Sequence, residues 1–309
     1  MRSAPLLTIL GPTACGKTSL AVRLAAVLKG EVISADSRQV YRGMNVGTGK
    51  DLAEYQFQGE TVPYHLIDIR DAGEEYDVFQ FQDDFFKLYE KLSIKGVWPI
   101  LCGGSGLYLQ AALAEEQMVM VPENKRLRER LRKFSQEELV RELAEIRMDL
   151  HNKTDLEERD RTIRAIEIAS FERQNPERTA SPVQEKLTFG LRTERGNLRE
   201  RIKVRLEKRL EQEGMIEEVQ GLLESGIPAK KIDYYGLEYR FINAYLQKDL
   251  TYQEMYEGLL QAIRRFAKKQ ETWFRRMEKN GHQIHWMEVE SPMEEKLSFI
   301  KSQLPENVT

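Results

Sequence analysis

The sequence predicts an α/β fold built on a parallel sheet, and three features carry that prediction. The apolar run Leu6–Leu10 leads directly into Gly11-Pro12-Thr13-Ala14-Cys15-Gly16-Lys17-Thr18, which fits G-x-x-x-x-G-K-[ST]. Leu20, Ala21, Leu24, Ala25 and Leu28 then recur at helical spacing, so the motif has the strand before it and the helix after it that it requires. A second strand, glycine turn and helix start follows at Trp98–Cys102 and Gly103-Gly104-Ser105-Gly106-Leu107-Tyr108. The core is therefore read as P-loop NTPase-like, joined by a helical insertion domain and a helical C-terminal region.

Each element follows in order. Residues 1–114 alternate strand and helix: Leu6–Leu10, a helix from Gly16, Glu31–Ser34, Tyr64–Ile69, a helix near Val78–Leu92, and Trp98–Cys102. From Pro122 the text turns charge-rich, with Leu127, Leu131, Leu139, Leu143 and Ile146 at helical spacing, so 115–184 is read as a helical insertion. Asn175-Pro176 to Ser181-Pro182 reads as a loop, because two prolines among small polar residues stop a helix. Lys186–Leu191 returns the chain to the sheet. The rest of 185–309 reads as helices over about 196–225, 237–246 and 251–279, a short strand Gln283–Met287 and a terminal helix.

Composition excludes several classes. A chain of 309 residues with 41% hydrophobic content fills a large domain plus a smaller one and does not fit disorder. Only Cys15 and Cys102 are present, which argues against a disulfide framework or a zinc site. The first residues lack a signal-peptide or transit pattern, and no apolar run reaches membrane-spanning length. A soluble, cytoplasmic protein with no membrane partner is expected, and nothing demands more than a monomer. The net charge of −3 is unevenly spread, with dense basic stretches in the C-terminal third.

The glycine loop points to a diphosphate or triphosphate. Backbone N–H groups and the helix dipole wrap the phosphate, Lys17 neutralises it and the Thr18 hydroxyl reaches Mg²⁺, the expected cofactor. After the second strand comes Ser34-Ala35-Asp36-Ser37-Arg38-Gln39-Val40-Tyr41-Arg42-Gly43-Met44. Asp36 is a candidate general base beside an acceptor substrate, and equally a turn cap or an outer Mg²⁺ ligand. Ser37, Gln39 and Tyr41 suit a nucleobase, or are ordinary loop residues.

The basic residues divide into two clusters. Arg192, Arg195, Arg199, Arg201, Lys203, Arg205, Lys208 and Arg209 are interleaved with Glu194, Glu200, Glu207 and Glu211, so a polyanion surface and a solvated helix face are balanced readings. Arg264, Arg265, Lys268, Lys269, Arg275, Arg276 and Lys279 meet only Glu271 and Glu278 and carry Trp273 and Phe274 among them, which favours RNA contact. Arg161 and Arg164 share a helix face suited to phosphate, while Arg164 with Glu167 equally suits a surface ion pair.

In this order the motifs closely resemble the tRNA dimethylallyltransferase family, also called tRNA isopentenyltransferases. The family text GPTASGKT is matched at Gly11–Thr18, SADSRQVYRGMDIGTAK at Ser34–Lys50 with Asn45 and Gly49 substituted, PHHLIDI at Pro63–Ile69, and GGTGLY at Gly103–Tyr108. NDxxRxxRALE is matched partly at Glu158–Glu167, RxxxRLxxMLxxGLxEEV at Arg201–Val219 and TRQxAKRQxTWxR at Ile263–Arg275. The run SADSRQVYRGM is identical over eleven positions, and the matches span about 11 to 287.

The resemblance implies transfer of a dimethylallyl group from its diphosphate to N6 of the adenine on the 3′ side of the anticodon, with dimethylallyl diphosphate and tRNA as substrates. It implies that Gly11, Pro12, Thr13, Ala14, Cys15, Gly16, Lys17 and Thr18 hold the leaving diphosphate with Mg²⁺ on Thr18. Asp36 is then the base, and Thr13, Lys17 and Arg264 act at the same centre. Contacts to tRNA fall to Asp36, Ser37, Arg38, Gln39, Ser105, Arg128, Arg161, Arg164, Gly236, Arg240, Lys268, Lys269, Gln270, Thr272, Trp273 and Arg275.

The chain departs from the family at three places. GYKE or GYRQ reads Gly236-Leu237-Glu238-Tyr239-Arg240, so a carboxylate stands where a cation is expected and Arg240 is the residue that could replace it. The insertion has Glu172-Arg173-Gln174 for TGK, and TRQ is Ile263-Arg264-Arg265. The competing readings are an isopentenyltransferase acting on free adenine nucleotides, an ATP-dependent P-loop kinase of a small metabolite, and an RNA-binding relative without catalysis. Asp36, Lys17 and Thr18 are all present, which weighs against the last.

Overall fold

The structure, a computed structural model, describes residues 4–146, 158–177 and 179–305; the parts of the expected insertion at 147–157 and 178 lie outside them. Leu6–Leu10 (β1) is buried along its whole length, as a continuous apolar strand between two neighbours must be. Helix α1 (Lys17–Leu28) follows the glycine loop and buries Leu20, Ala21, Leu24 and Ala25. The chain returns through β2 (Gly30–Ser34), a small antiparallel hairpin of β3 (Gln56–Phe57) and β4 (Glu60–Thr61), and β5 (Tyr64–His65). Helix α2 (Val78–Ile94), started by a capping box of Asp77 and Gln80, leads to β6 (Trp98–Gly103) and α3 (Gly106–Ala112).

After the insertion the chain adds β7 (Lys186–Arg192) and β8 (His285–Glu288) to the other side of the sheet. The six strands run in the order β5-β2-β6-β1-β7-β8 and every pairing is parallel. The expected α/β parallel core is thus present. In this order β6 lies between β1 and β2, so the three loops that leave their carboxyl ends are neighbours, and that edge is where open α/β sheets bind ligands.

Two expected elements differ. The strand over Tyr64–Ile69 stops at His65, because Leu66 and Asp68 take φ values of 59° and 55°, which no ladder accommodates. The helix over about 196–225 is two, α7 (Arg195–Glu211) and α8 (Met215–Glu224), divided where Gly214 turns left-handed at φ 74°. A short helix α9 (Ala229–Ile232) precedes α10 (Leu237–Leu246), α11 (Tyr252–Lys279) and α12 (Met293–Ser302).

The chain divides into two compact units, one of residues 1–115 with 181–309 and one of Glu116–Ala180. Among the described residues the second holds three helices, α4 (Lys125–Leu131), α5 (Gln136–Ile146) and α6 (Arg159–Gln174), closed on Leu131, Leu139, Leu143, Ile163, Ile166 and Ala169. Glu167 is buried there beneath Arg128, Arg164 and the Asn124 N–H. Burial alone would raise its carboxyl, but the hydrogen bonds from Arg128, Asn124 and Arg164 outweigh it and hold the group down at about 2. Arg128 and Arg164 thus serve the core of this unit, and Arg161 pairs with Glu158 at 3.0 Å. Among the described residues no helix is long and apolar enough to cross a membrane.

Candidate active site

The loop after β1 is shaped for an anion. Ala14 and Gly16 take left-handed φ values of 63° and 77°, an alternation that curls successive N–H groups into a concavity at the start of α1. The Lys17 ammonium donates to the Pro12 carbonyl at 2.8 Å, and burial pushes its pKa below the usual lysine range. Thr13, Ala14, Gly16, Lys17 and Thr18 line a cavity of about 840 Å³. Gly11, Pro12 and Cys15 form the buried inner side of the loop, and burial raises the Cys15 thiol.

The loop after β2 supplies the facing wall with Asp36, Ser37, Arg38 and Gln39. Asp36 Oδ1 accepts the Arg38 N–H at 2.8 Å, so the carboxylate caps its turn and faces the cavity together. Gln39 takes the Ser34 hydroxyl at 2.8 Å and donates to the Gly49 carbonyl at 3.0 Å, which fixes its side chain in the wall. The Ser37 N–H donates to Ser105 Oγ at 3.4 Å, tying this loop to the glycine turn after β6.

That turn is squeezed from three sides. A Cβ at Gly104 would fall 2.4 Å from Gln270 Nε2 and 3.1 Å from the Gly11 carbonyl, and one at Gly106 would fall 2.3 Å from the Trp273 ring. Only glycine lets α11 and the two loops approach so closely. Gln270 spans the gap, accepting the Thr13 N–H at 2.8 Å and donating to the Gly104 carbonyl at 2.9 Å.

Several residues assigned to RNA from sequence therefore have partners inside the protein. Gln270 is buried between two backbone groups, Trp273 packs on Gly106, and Phe274 is buried against Trp286. The outer face of α11 carries Lys268, Lys269, Thr272 and Arg275, all exposed. Arg264 does not line the cavity. It stands about 100° round the helix from Ile263, which does, and its Nε is buried without a hydrogen-bond partner.

The cations beside the glycine loop come instead from α7. Arg201, Arg205 and Arg209 follow one another at i, i+4 and i+8 and line the cavity with Lys208. Arg201 Nε donates to the Ala14 carbonyl at 2.9 Å. Arg205 and Arg209 converge on Asp51 at 2.5 and 3.1 Å. Burial alone would raise Asp51, but the two guanidinium groups outweigh it and hold the carboxyl below its usual range. The spacing of the three arginines was the available signal; the glutamates between them masked it. Asp51, left-handed at φ 47°, gave none.

The last wall is Tyr234 to Arg240. Gly236 opens α10 at φ 142°, and Glu238 faces the cavity with its pKa raised, chiefly by burial. Arg240 is exposed on the same wall with its guanidinium 5.3 Å from the Phe241 ring. One cavity thus joins an anion-binding loop, three arginines and a carboxylate across from them, which suits departure of a diphosphate and capture of a proton.

Known proteins similar to this chain fall in one family. The family model described as IPP transferase matches residues 39–277, and one described as Isopentenyl transferase matches 4–68. A tRNA dimethylallyltransferase 2 of Porphyromonas gingivalis is 52% identical over 296 residues, covering 96% of this chain and 97% of its own. One from Trichlorobacter lovleyi is 52% identical over 287 residues, covering 93% and 92%. The full-length tRNA isopentenylpyrophosphate transferase of Bacillus halodurans superposes with a TM-score of 0.71 at 33% identity, covering 97% of this chain and 95% of that one.

Proposed function

The chain belongs to the IPP transferase family of tRNA dimethylallyltransferases, and from that premise we propose how its residues divide the reaction. The activity is transfer of a dimethylallyl group from dimethylallyl diphosphate to N6 of the adenine on the 3′ side of the anticodon in tRNA, releasing diphosphate. The observation that supports our division of roles is the single cavity shared by the glycine loop, the α7 arginines and Asp36.

Thr13, Ala14, Gly16, Lys17 and Thr18 hold the diphosphate, with Arg201, Arg205 and Arg209 screening the charge that grows on it as the C1–O bond breaks. The adenine N6 attacks C1 from the side of Asp36, the new N–C bond forms, and the N6 proton passes to the Asp36 carboxylate. The target base is stacked in an anticodon loop, so it must swing out into the cavity, where Ser37, Arg38, Gln39 and Ser105 surround it. Lys268, Lys269, Thr272 and Arg275 on the outer face of α11 contact the RNA backbone, as do Gly236 and Arg240, with Arg161 doing so from the insertion. The chain acts as a cytoplasmic monomer.

Mg²⁺ fits the donor set. Among the described residues no three His, Cys, Asp or Glu groups converge on a metal position, while Thr18 offers one hard oxygen beside the diphosphate. This is the pattern of an ion held by one side-chain oxygen, substrate phosphates and water. When bound, the ion supplies further neutralisation of the leaving group.

Equilibrium binding tests the division. Lys17→Ala is expected to weaken dimethylallyl diphosphate at least about tenfold while tRNA affinity holds. Equal affinity of the variant for the diphosphate, or tighter binding of ATP than of dimethylallyl diphosphate by the parent protein, would contradict it.

A further inference from the structure

Tyr234 and Phe266 expose 48% and 41% of their surface, and both rings line the cavity just described. Single exposed rings need no explanation, but two lining one cavity from unconnected elements do. Tyr234 is held in place: the Arg38 guanidinium lies 5.0 Å from its ring centroid, and the ring meets buried Tyr235 edge-on at 5.6 Å. Arg38 is in turn fixed at its N–H by Asp36, so Tyr234 stands one step from the proposed base. Phe266 lies on α11 one turn from Ile263, between the cavity and the exposed basic face that carries Arg265 and Lys269.

Two parts of the substrates have surfaces that such rings fit: the dimethylallyl tail and the nucleobases. The tail carries the cation-like carbon and must be kept from water. Rings that stand 48% and 41% open in the free protein offer it less cover than the buried side of the glycine loop. Bases have flat faces that stack on aromatic rings while their edges stay wet, and the cations Arg38 and Arg240 lining the same cavity suit the phosphates between them.

We propose that Tyr234 and Phe266 stack on the nucleotides flanking the flipped adenine, replacing the stacking that the adenine gives up on leaving the loop. The proposal rests on the tRNA reading of the site. It makes these rings base-stacking residues for the known reaction, which select an open anticodon loop over a free adenine nucleotide.

The test uses the full-length protein, an unmodified anticodon stem-loop, and the same stem-loop with 2-aminopurine beside the target adenine. Tyr234→Ala and Phe266→Ala are each expected to weaken stem-loop binding about 5- to 150-fold. Each should leave dimethylallyl diphosphate binding unchanged and change the 2-aminopurine fluorescence of the complex. Tyr234→Phe and Phe266→Tyr restore both readouts. Alanine variants that bind the stem-loop like the parent protein, that lose dimethylallyl diphosphate instead, or that the aromatic replacements cannot rescue overturn the proposal. A parent protein that labels the stem-loop while the variants equal it sinks the stacking proposal alone. A parent protein that neither binds nor labels it sinks the tRNA reading and the proposal together.

Discussion

Gln270 accepts the backbone N–H of Thr13 at 2.8 Å although 257 residues separate them. Its amide nitrogen reaches the Gly104 carbonyl at 2.9 Å, so one side chain of α11 sets the spacing between the two glycine loops. Gln270→Glu keeps an acceptor for Thr13 and sets a second oxygen against the Gly104 carbonyl. Because both backbone groups are buried, the change is expected to cost about 1–3 kcal/mol of stability. Misplacing the loop should also lower kcat/KM for dimethylallyl diphosphate by up to about 100-fold. Thermal unfolding and steady-state kinetics check both, and a variant with normal kinetics shows that the clamp does not shape the site.

Asp36 both caps its own turn and faces the cavity, and Asp36→Asn separates the two roles. The amide oxygen can still accept the Arg38 N–H at the position where Oδ1 does so at 2.8 Å. The turn survives and the basicity is lost. Single-turnover transfer is expected to slow about 100- to 10,000-fold while tRNA affinity stays within about threefold. Unchanged turnover would remove Asp36 as the base.

Arg205 and Arg209 share Asp51, so the pair is organised before substrate arrives. Asp51→Asn frees both guanidinium groups from their fixed partner. Preorganisation is lost, and kcat/KM for dimethylallyl diphosphate is expected to fall about 10- to 100-fold with stem-loop affinity unchanged. Titration of each substrate separately decides this, and loss of stem-loop affinity alone would move the arginines to the RNA side.

Glu167 anchors the insertion through Arg128 and Arg164. Its folded pKa of about 2 lies below the usual 4.5, so its stabilisation is full above about pH 4.5 and fades as pH falls towards 2. Glu167→Ala leaves a void beneath two partly exposed cations and is expected to cost about 1–3 kcal/mol at pH 7, less below pH 4. Hydrogen exchange over 125–146 and 159–174 should show faster opening at pH 7. Equal protection in both proteins would make the cluster dispensable.

The sequence made the core legible because its strands are short apolar runs that each end in a recognisable loop, as Leu6–Leu10 does in the glycine motif. It hid what depends on single backbone angles: β5 ends at His65, before left-handed Leu66, and the helix over 196–225 breaks at Gly214, though a glycine within helical text is itself a break signal. The site was half legible. The facing loops at Lys17 and Asp36 could be named from their place after strands. Residues on helices depend on rotation about the axis, and there the reading went astray. Trp273 and Phe274 turn inward, Arg264 stands off the cavity that Ile263 and Phe266 line, and Arg205 and Arg209 line that cavity where acidic neighbours left a polyanion surface and a solvated face evenly balanced.

In the proposed assignment this glycine loop holds the diphosphate of a prenyl donor and not a nucleoside triphosphate. The direct measurement is nucleoside analysis after one turnover of the protein with Mg²⁺, labelled dimethylallyl diphosphate, unmodified tRNA, AMP and ATP together. One diphosphate is expected for each N6-isopentenyladenosine formed in the tRNA, with the label on the base beside the anticodon. Label on AMP but not on tRNA, or a phosphate moved from ATP, would contradict it.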